Sequence, residues 1–156
     1  MQLTPLPTLT PRVAEVRFRR DGRGPYSAPI TGPDSLACLV RGLAAKLDGE
    51  HREHFFVVLL DSRYRTLGVY TASVGTVNQS LVHPREVFLP AIAAAATAIV
   101  VAHNHPAGNP EPSPEDRAVT TRLRAAGELL GIELLDHVVI GDGRFFSFAS
   151  ETVGSF

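Results

Sequence analysis

Two short runs, FFVVLL at 55–60 and AIVVA at 98–102, are apolar at every position. A strand that faces water on one side alternates apolar and polar residues. An unbroken run of branched and aromatic residues needs cover on both faces. Two such strands call for a sheet with helices packed on it, and the rest of the chain supplies them. PDSLACLVRGLAAKLDG places apolar residues at 36, 39, 40, 43 and 47, an amphipathic helix with Asp34 or Ser35 as its cap, Gly49 as its stop and Cys38 on its apolar face. Pro84 opens a second helix reaching to about residue 97, with Val87, Phe88, Ala91 and Ile92 on one side and Pro90 inside, where it should kink the helix. EDRAVTTRLRAAGELLG is a third, ended by Gly131. TLGVYTAS follows the first apolar run as a further strand, and IELLDHVVI, GDG and RFFSFAS form a closing hairpin. The expectation is one α/β (α+β) domain, a central mixed sheet flanked by helices.

Ahead of this unit, residues 1–11 carry prolines at 5, 7 and 11 and suit a flexible tail. Residues 12–33 hold a strand, with Ala14, Val16 and Phe18 alternating against charges, and then a glycine- and proline-rich loop. The principal domain is expected over 34–156.

Composition narrows the function. The 156 residues include 15 basic and 16 acidic side chains, a net charge of −1, which disfavours a chain built to coat nucleic acid or an anionic membrane. A single cysteine, Cys38, excludes an internal disulfide and a thiolate-rich zinc site, and suits a reducing compartment. No apolar run approaches the roughly 20 residues of a membrane span. The start, MQLTPLPTLTP, has no cationic segment followed by an apolar core, so the cytoplasm is the expected location.

Chemistry concentrates in VVAHNHPAGNPEPSPED, residues 100–116. On an extended chain residues two apart point the same way, so His103 and His105 can aim at one point. Ser113-Pro114-Glu115-Asp116 has the spacing of a helix N-cap, with an acid three residues after the serine. A proline loop of this length can fold the first turn of that helix back over the strand end and bring Asp116 to the histidines. Two imidazoles and a carboxylate leave a tetrahedral Zn²⁺ one open position for water, as catalytic zinc requires. The plainer alternative stays open: a helix cap, and two polar residues ending a strand.

H-x-H-P, with seven residues between the second histidine and the serine, then S-x-x-D, resembles the metal-binding pattern of the JAMM (MPN+/JAB) metallopeptidases, matched here at His103, His105, Pro106, Ser113 and Asp116. VHPREVFLPAI, AHNHPAG, PSPEDRAVT and LLDHVVIGDGRFFSFA are similar to the RadC-like branch, over about residues 34–150. Ala107 stands where that branch usually has serine, and only about 30 residues precede the core where it usually has a helix-hairpin-helix region. The resemblance implies a Zn²⁺ on His103, His105 and Asp116. It implies a general base at Glu53, eight residues before Asp61, and Ser113 as the group steadying the oxyanion. The substrate would be a peptide or protein amide. By its position alone, without the motif, Glu53 reads rather as a solvated acid at the start of a strand. For its carboxylate to reach the histidines, strands 55–60 and 98–102 must run antiparallel.

Other polar residues carry less. Asp136-His137, inside an apolar strand, reads as a structural pair or a hydrogen-bonded partner of a ligand. His83 leads into a helix, Arg85 and Glu86 belong to its first turn, and His54 should point away from His51 and Glu53. A DNA-associated protein or nuclease, and a metal-binding scaffold without turnover, are the competing functions. His103-Asn104-His105 is not an HNH nuclease motif, whose residues are dispersed over a strand and helix. A zinc deaminase would need a P-C-x-x-C segment that the chain lacks.

Overall fold

The computed structural model describes residues 29–47, 52–75 and 82–156. The expected tail over 1–11, the expected strand at 14–19, Gly49 and His51 lie outside them. Strands β1 (Glu53–Leu60), β2 (Thr66–Gly75), β3 (Ala98–Asn104), β4 (Glu133–Ile140), β5 (Arg144–Ser147) and β6 (Thr152–Ser155) form one sheet in the order β2-β1-β3-β4-β5-β6. The sheet is mixed: β3 and β4 are parallel and the other neighbours antiparallel. Helices α1 (Pro33–Ala44, continued by a 3₁₀ turn Ala45–Leu47), α2 (Pro84–Ala93) and α3 (Pro114–Leu130) cover it. The fold is the expected α+β arrangement. Among the described residues no helix is long and apolar enough to cross a membrane.

The apolar runs divide between two cores by alternation. Phe56, Val58, Leu60, Ala98, Val100 and Ala102 pack beneath Leu36, Leu39, Val40 and Leu43 of α1. Phe55, Val57, Leu59, Ile99 and Val101 face Val87, Phe88 and Ala91 of α2 and Leu123 of α3. This two-sided cover is why neither run tolerates a polar residue.

Three local readings need correction. The cap of α1 is Gly32, neither Asp34 nor Ser35. Ser35 Oγ instead reaches back from the first turn, accepting from the amides of Thr31 and Gly32 at 2.9 and 3.1 Å. Cys38 is exposed, not core, because it stands about 200° around the helix from Leu36. Helix α2 stops at Ala93 rather than near 97, and Ile92 is 56% exposed. There Ala95 takes a left-handed φ of 51°. The Ala95 amide donates to Ile92 O and the Ala96 amide to Ala91 O, the paired bonds of a Schellman ending.

The ladder between β3 and β4 is interrupted once. Ile99 pairs with Leu134 but Val100 with Asp136, so Leu135 is an extra residue in β4. Such a bulge reverses the facing of everything after it. His137 therefore points to the α2–α3 face, where the even-numbered residues of β4 would otherwise lie.

Candidate metal centre

His103 is the penultimate residue of β3, which is buried throughout, and His105 directly follows the strand. The chain then passes through Pro106, Pro110 and Pro112 into the first turn of α3, whose third residue is Asp116. This loop is laid down against the β4–β5 turn. The Gly108 carbonyl accepts from the Asp142 amide at 2.8 Å. A Cβ on Gly141 would stand 2.5 Å from that carbonyl oxygen and 2.9 Å from Pro110 N, so only glycine permits the approach.

The loop brings two imidazole nitrogens and a carboxylate together. His103 Nε2 lies 3.1 Å from His105 Nε2 and 3.1 Å from Asp116 Oδ1, and His105 Nε2 lies 3.4 Å from Asp116 Oδ2. Among the described residues these are the group of histidine and acid side chains that could hold a metal. The spacing tests the fit. A tetrahedral ion with ligands at about 2.0–2.1 Å has ligand–ligand edges of about 3.3–3.4 Å. The separation of the two ring nitrogens and the approach of each to the carboxylate, made to different Asp116 oxygens, lie within a few tenths of an ångström of that edge, and the donors are the nitrogen and oxygen types such an ion takes.

Each ligand is held from behind. Ser113 Oγ accepts from the Asp116 amide at 3.1 Å as the N-cap of α3, and donates to Asp116 Oδ2 at 2.7 Å; the Ser113 amide donates to the same oxygen at 2.7 Å. Capping and aiming Asp116 are thus one arrangement, at a helix end whose dipole favours an anion. His105 Nδ1 is 2.9 Å from the Asn109 carbonyl, which can only accept. In the neutral ring the Nδ1 proton is fixed there, and the Nε2 lone pair faces the centre. His103 is fully buried, its ring stacked on Phe55 with centroids 5.9 Å apart. Its Nδ1 lies 2.9 Å from Nε2 of the equally buried His137.

The electrostatics follow from this packing. Burial raises the Asp116 carboxyl, but the adjoining His103 and His105 rings and the Ser113 hydroxyl outweigh it and hold the group far below the usual carboxylate range. The hydrogen bond to Asp116 lifts His105 above its ordinary value against the opposing effect of burial, with a smaller contribution from the Glu53 carboxylate. Burial holds His137 well below its ordinary value, so it is neutral. Asp136 points to the other side, and burial raises its carboxyl against hydrogen bonds from Ser147 Oγ at 2.6 Å and the Ala149 amide at 2.8 Å. It is a structural anchor for the end of β5.

Strands β1 and β3 are antiparallel, as the Glu53 assignment requires, with Phe55 opposite His103. Continued by two residues, that register sets Glu53 opposite His105 on the same face. His54 points to the opposite face and stacks on Phe56, and His83 caps α2 by accepting from the Arg85 amide. Asn104 is a participant the sequence reading passed over. Its Oδ1 accepts from the His54 amide at 2.7 Å and its Nδ2 donates to Arg52 O at 3.0 Å, which clamps the backbone on both sides of Glu53. Thr120 is another. The spacing of four between Asp116 and Thr120 on one helix face was the available signal.

A family model described as the RadC-like JAB domain matches residues 30–153. The chain belongs to the RadC-like JAB domain family. It is 53% identical over 123 residues to a UPF0758 protein of Rubrobacter xylanophilus, covering 79% of this chain and 53% of that one. It is 52% identical over 99 residues to one of Geobacter sulfurreducens, covering 64% and 43%. With one of Geotalea uraniireducens it shares 55% over 100 residues, covering 64% and 44%. The chain spans about half the length of the curated relatives it matches. The RadC-like JAB domain here thus combines an α+β fold with a His-His-Asp group suited to a metal.

Proposed function

We propose that this RadC-like JAB domain is a zinc-dependent metallopeptidase or isopeptidase that hydrolyses a peptide-type amide. The observation that carries the reading is the convergence of His103, His105 and Asp116 beside the antiparallel strand that begins at Glu53. His103, His105 and Asp116 would hold the ion, which supplies a Lewis acid and lowers the pKa of water toward about 7. Glu53 takes the proton of the attacking water and returns it to the departing amine nitrogen. Asn104 keeps the Glu53 backbone against the end of β3 during that exchange. Ser113 Oγ turns its proton from Asp116 to the carbonyl oxygen as that oxygen becomes anionic. We assign this activity to residues 34–156. With one cysteine in the sequence, we place it in the reducing cytoplasm.

The test is proteolysis in ¹⁸O water. The zinc-loaded protein is incubated with a mixed library of linear and lysine-branched peptides, and products are read by mass spectrometry. One ¹⁸O in each new carboxyl, lost with a chelator and restored by zinc, is the expected result. Zinc uptake with no amide cleaved would overturn the reading in favour of a scaffold. Salt-dependent DNA binding or cutting in place of proteolysis would favour the nucleic-acid alternative.

Ser113→Ala is expected to retain metal and lose about 10²–10³ in turnover, the usual cost of one oxyanion donor. Zinc affinity measured alongside separates this from a displaced Asp116. Unchanged turnover with a stability loss of about 1 kcal/mol would leave Ser113 as a cap only.

A further inference from the structure

Behind His103 runs a buried chain of polar atoms that the proposed reaction does not use. Thr120 Oγ lies 2.7 Å from the Asp116 backbone carbonyl and 2.6 Å from His137 Nδ1. His137 Nε2 lies 2.9 Å from His103 Nδ1. Thr120 is 3% exposed, and His137 and His103 are fully buried. Phe148 stacks flat on the His137 ring at 4.8 Å, and the Phe55 ring packs against it at 5.6 Å, tilted by 57°. Among the described residues, these polar atoms therefore find their hydrogen-bonding partners in one another.

We propose that Thr120 and His137 are positioning residues that hold His103 in the single tautomer able to ligate the cation. The protons can be assigned in order from one end. A backbone carbonyl accepts and never donates, so the one hydroxyl proton of Thr120 goes to Asp116 O. Thr120 Oγ then accepts, and His137 Nδ1 must carry the proton between them. A neutral imidazole has one N–H, so His137 Nε2 presents a lone pair. His103 Nδ1 must donate to that lone pair, which leaves the His103 Nε2 lone pair facing His105 and Asp116. The helix that supplies Asp116 thus also sets the polarity of His103, through its own carbonyl at the same residue. The bulge at Leu135 is what turns His137 inward to complete the link. A ligand imidazole oriented through its second nitrogen is more basic and more rigid, and loss of such a partner typically costs about 10–100-fold in metal affinity.

This proposal rests on the zinc reading, and its test separates the two. Zinc dissociation constants are measured by chelator competition for the parent protein, Thr120→Val and Thr120→Ser. Valine keeps the shape and removes the hydroxyl; serine restores it. Thr120→Val should bind zinc about 10–100-fold more weakly with an unchanged circular dichroism spectrum, and Thr120→Ser should recover most of the loss. Long-range ¹H–¹⁵N correlation spectra of the zinc-loaded parent protein need no variant. They should show His137 protonated at Nδ1 and bare at Nε2, and His103 protonated at Nδ1. A proton on His137 Nε2, or parental affinity in Thr120→Val, overturns the proposal while leaving the zinc reading intact. Failure of the parent protein to take up zinc overturns both.

Discussion

Glu53→Gln should leave zinc content and fold unchanged and reduce amide hydrolysis by about 10²–10⁴-fold, the typical share of a positioned acid–base group. Glutamine keeps the length and hydrogen-bonding capacity of the side chain and removes only the basic oxygen. A loss would therefore report proton transfer rather than packing. Placement supports the expectation. Antiparallel pairing puts the start of β1 beside the end of β3, with Phe55 opposite His103. The Glu53 carboxylate is close enough to His105 to contribute to its raised affinity for protons. Glu86→Gln is the control. That acid stands in the first turn of α2, exposed, paired with Arg85 at 3.0 Å, where the helix dipole accounts for it. Its loss should leave the rate nearly intact. A Glu53→Gln protein that still turns over at the parental rate would remove Glu53 from the mechanism.

The other large effect concerns the metal. The purified protein should contain about one zinc per chain, and His103→Ala and Asp116→Ala should each contain almost none after dialysis, because a three-ligand site reduced to two loses its chelate geometry. Asp116→Ala keeps the Ser113 cap on the amide of residue 116, so α3 should still form. Elemental analysis of the three proteins beside their circular dichroism spectra checks this. Equal zinc in all three would sink the assignment.

The sheet was readable because two of its inner strands carry unbroken apolar runs, and the antiparallel pairing of 55–60 with 98–102 followed from asking how Glu53 could reach two histidines. The group that could hold a metal was readable because all of it is local: a two-residue step on a strand, then a capping pattern. What escaped was set by tertiary contact or by backbone conformation without the usual residue. Alanine occupies the left-handed position that ends α2, where glycine is the usual signal. Strand β6 is four residues, TVGS, mostly exposed, and is defined by its pairing to β5 rather than by any pattern of its own. The bulge at Leu135 leaves no mark in IELLDHVVI, so which of Asp136 and His137 faces the histidines could not be read from alternation. Asn104 was hidden between two more conspicuous residues.

The locality of the ligands has a thermodynamic consequence. His103, His105 and Asp116 lie within one short segment, and Pro106, Pro110, Pro112 and Pro114 restrict that segment even when the rest of the chain is denatured. Closing so short a loop costs the unfolded chain little entropy. The denatured state therefore retains some capacity to chelate. Stabilisation by a ligand reflects the difference between its affinities for the folded and unfolded forms, so zinc should raise the melting temperature by less than its affinity for the folded protein would give. Calorimetric scans over a series of free zinc concentrations measure that shortfall. A melting temperature that follows the full folded-state affinity would mean that the buried support behind His103, not the short loop, is what makes the segment a ligand.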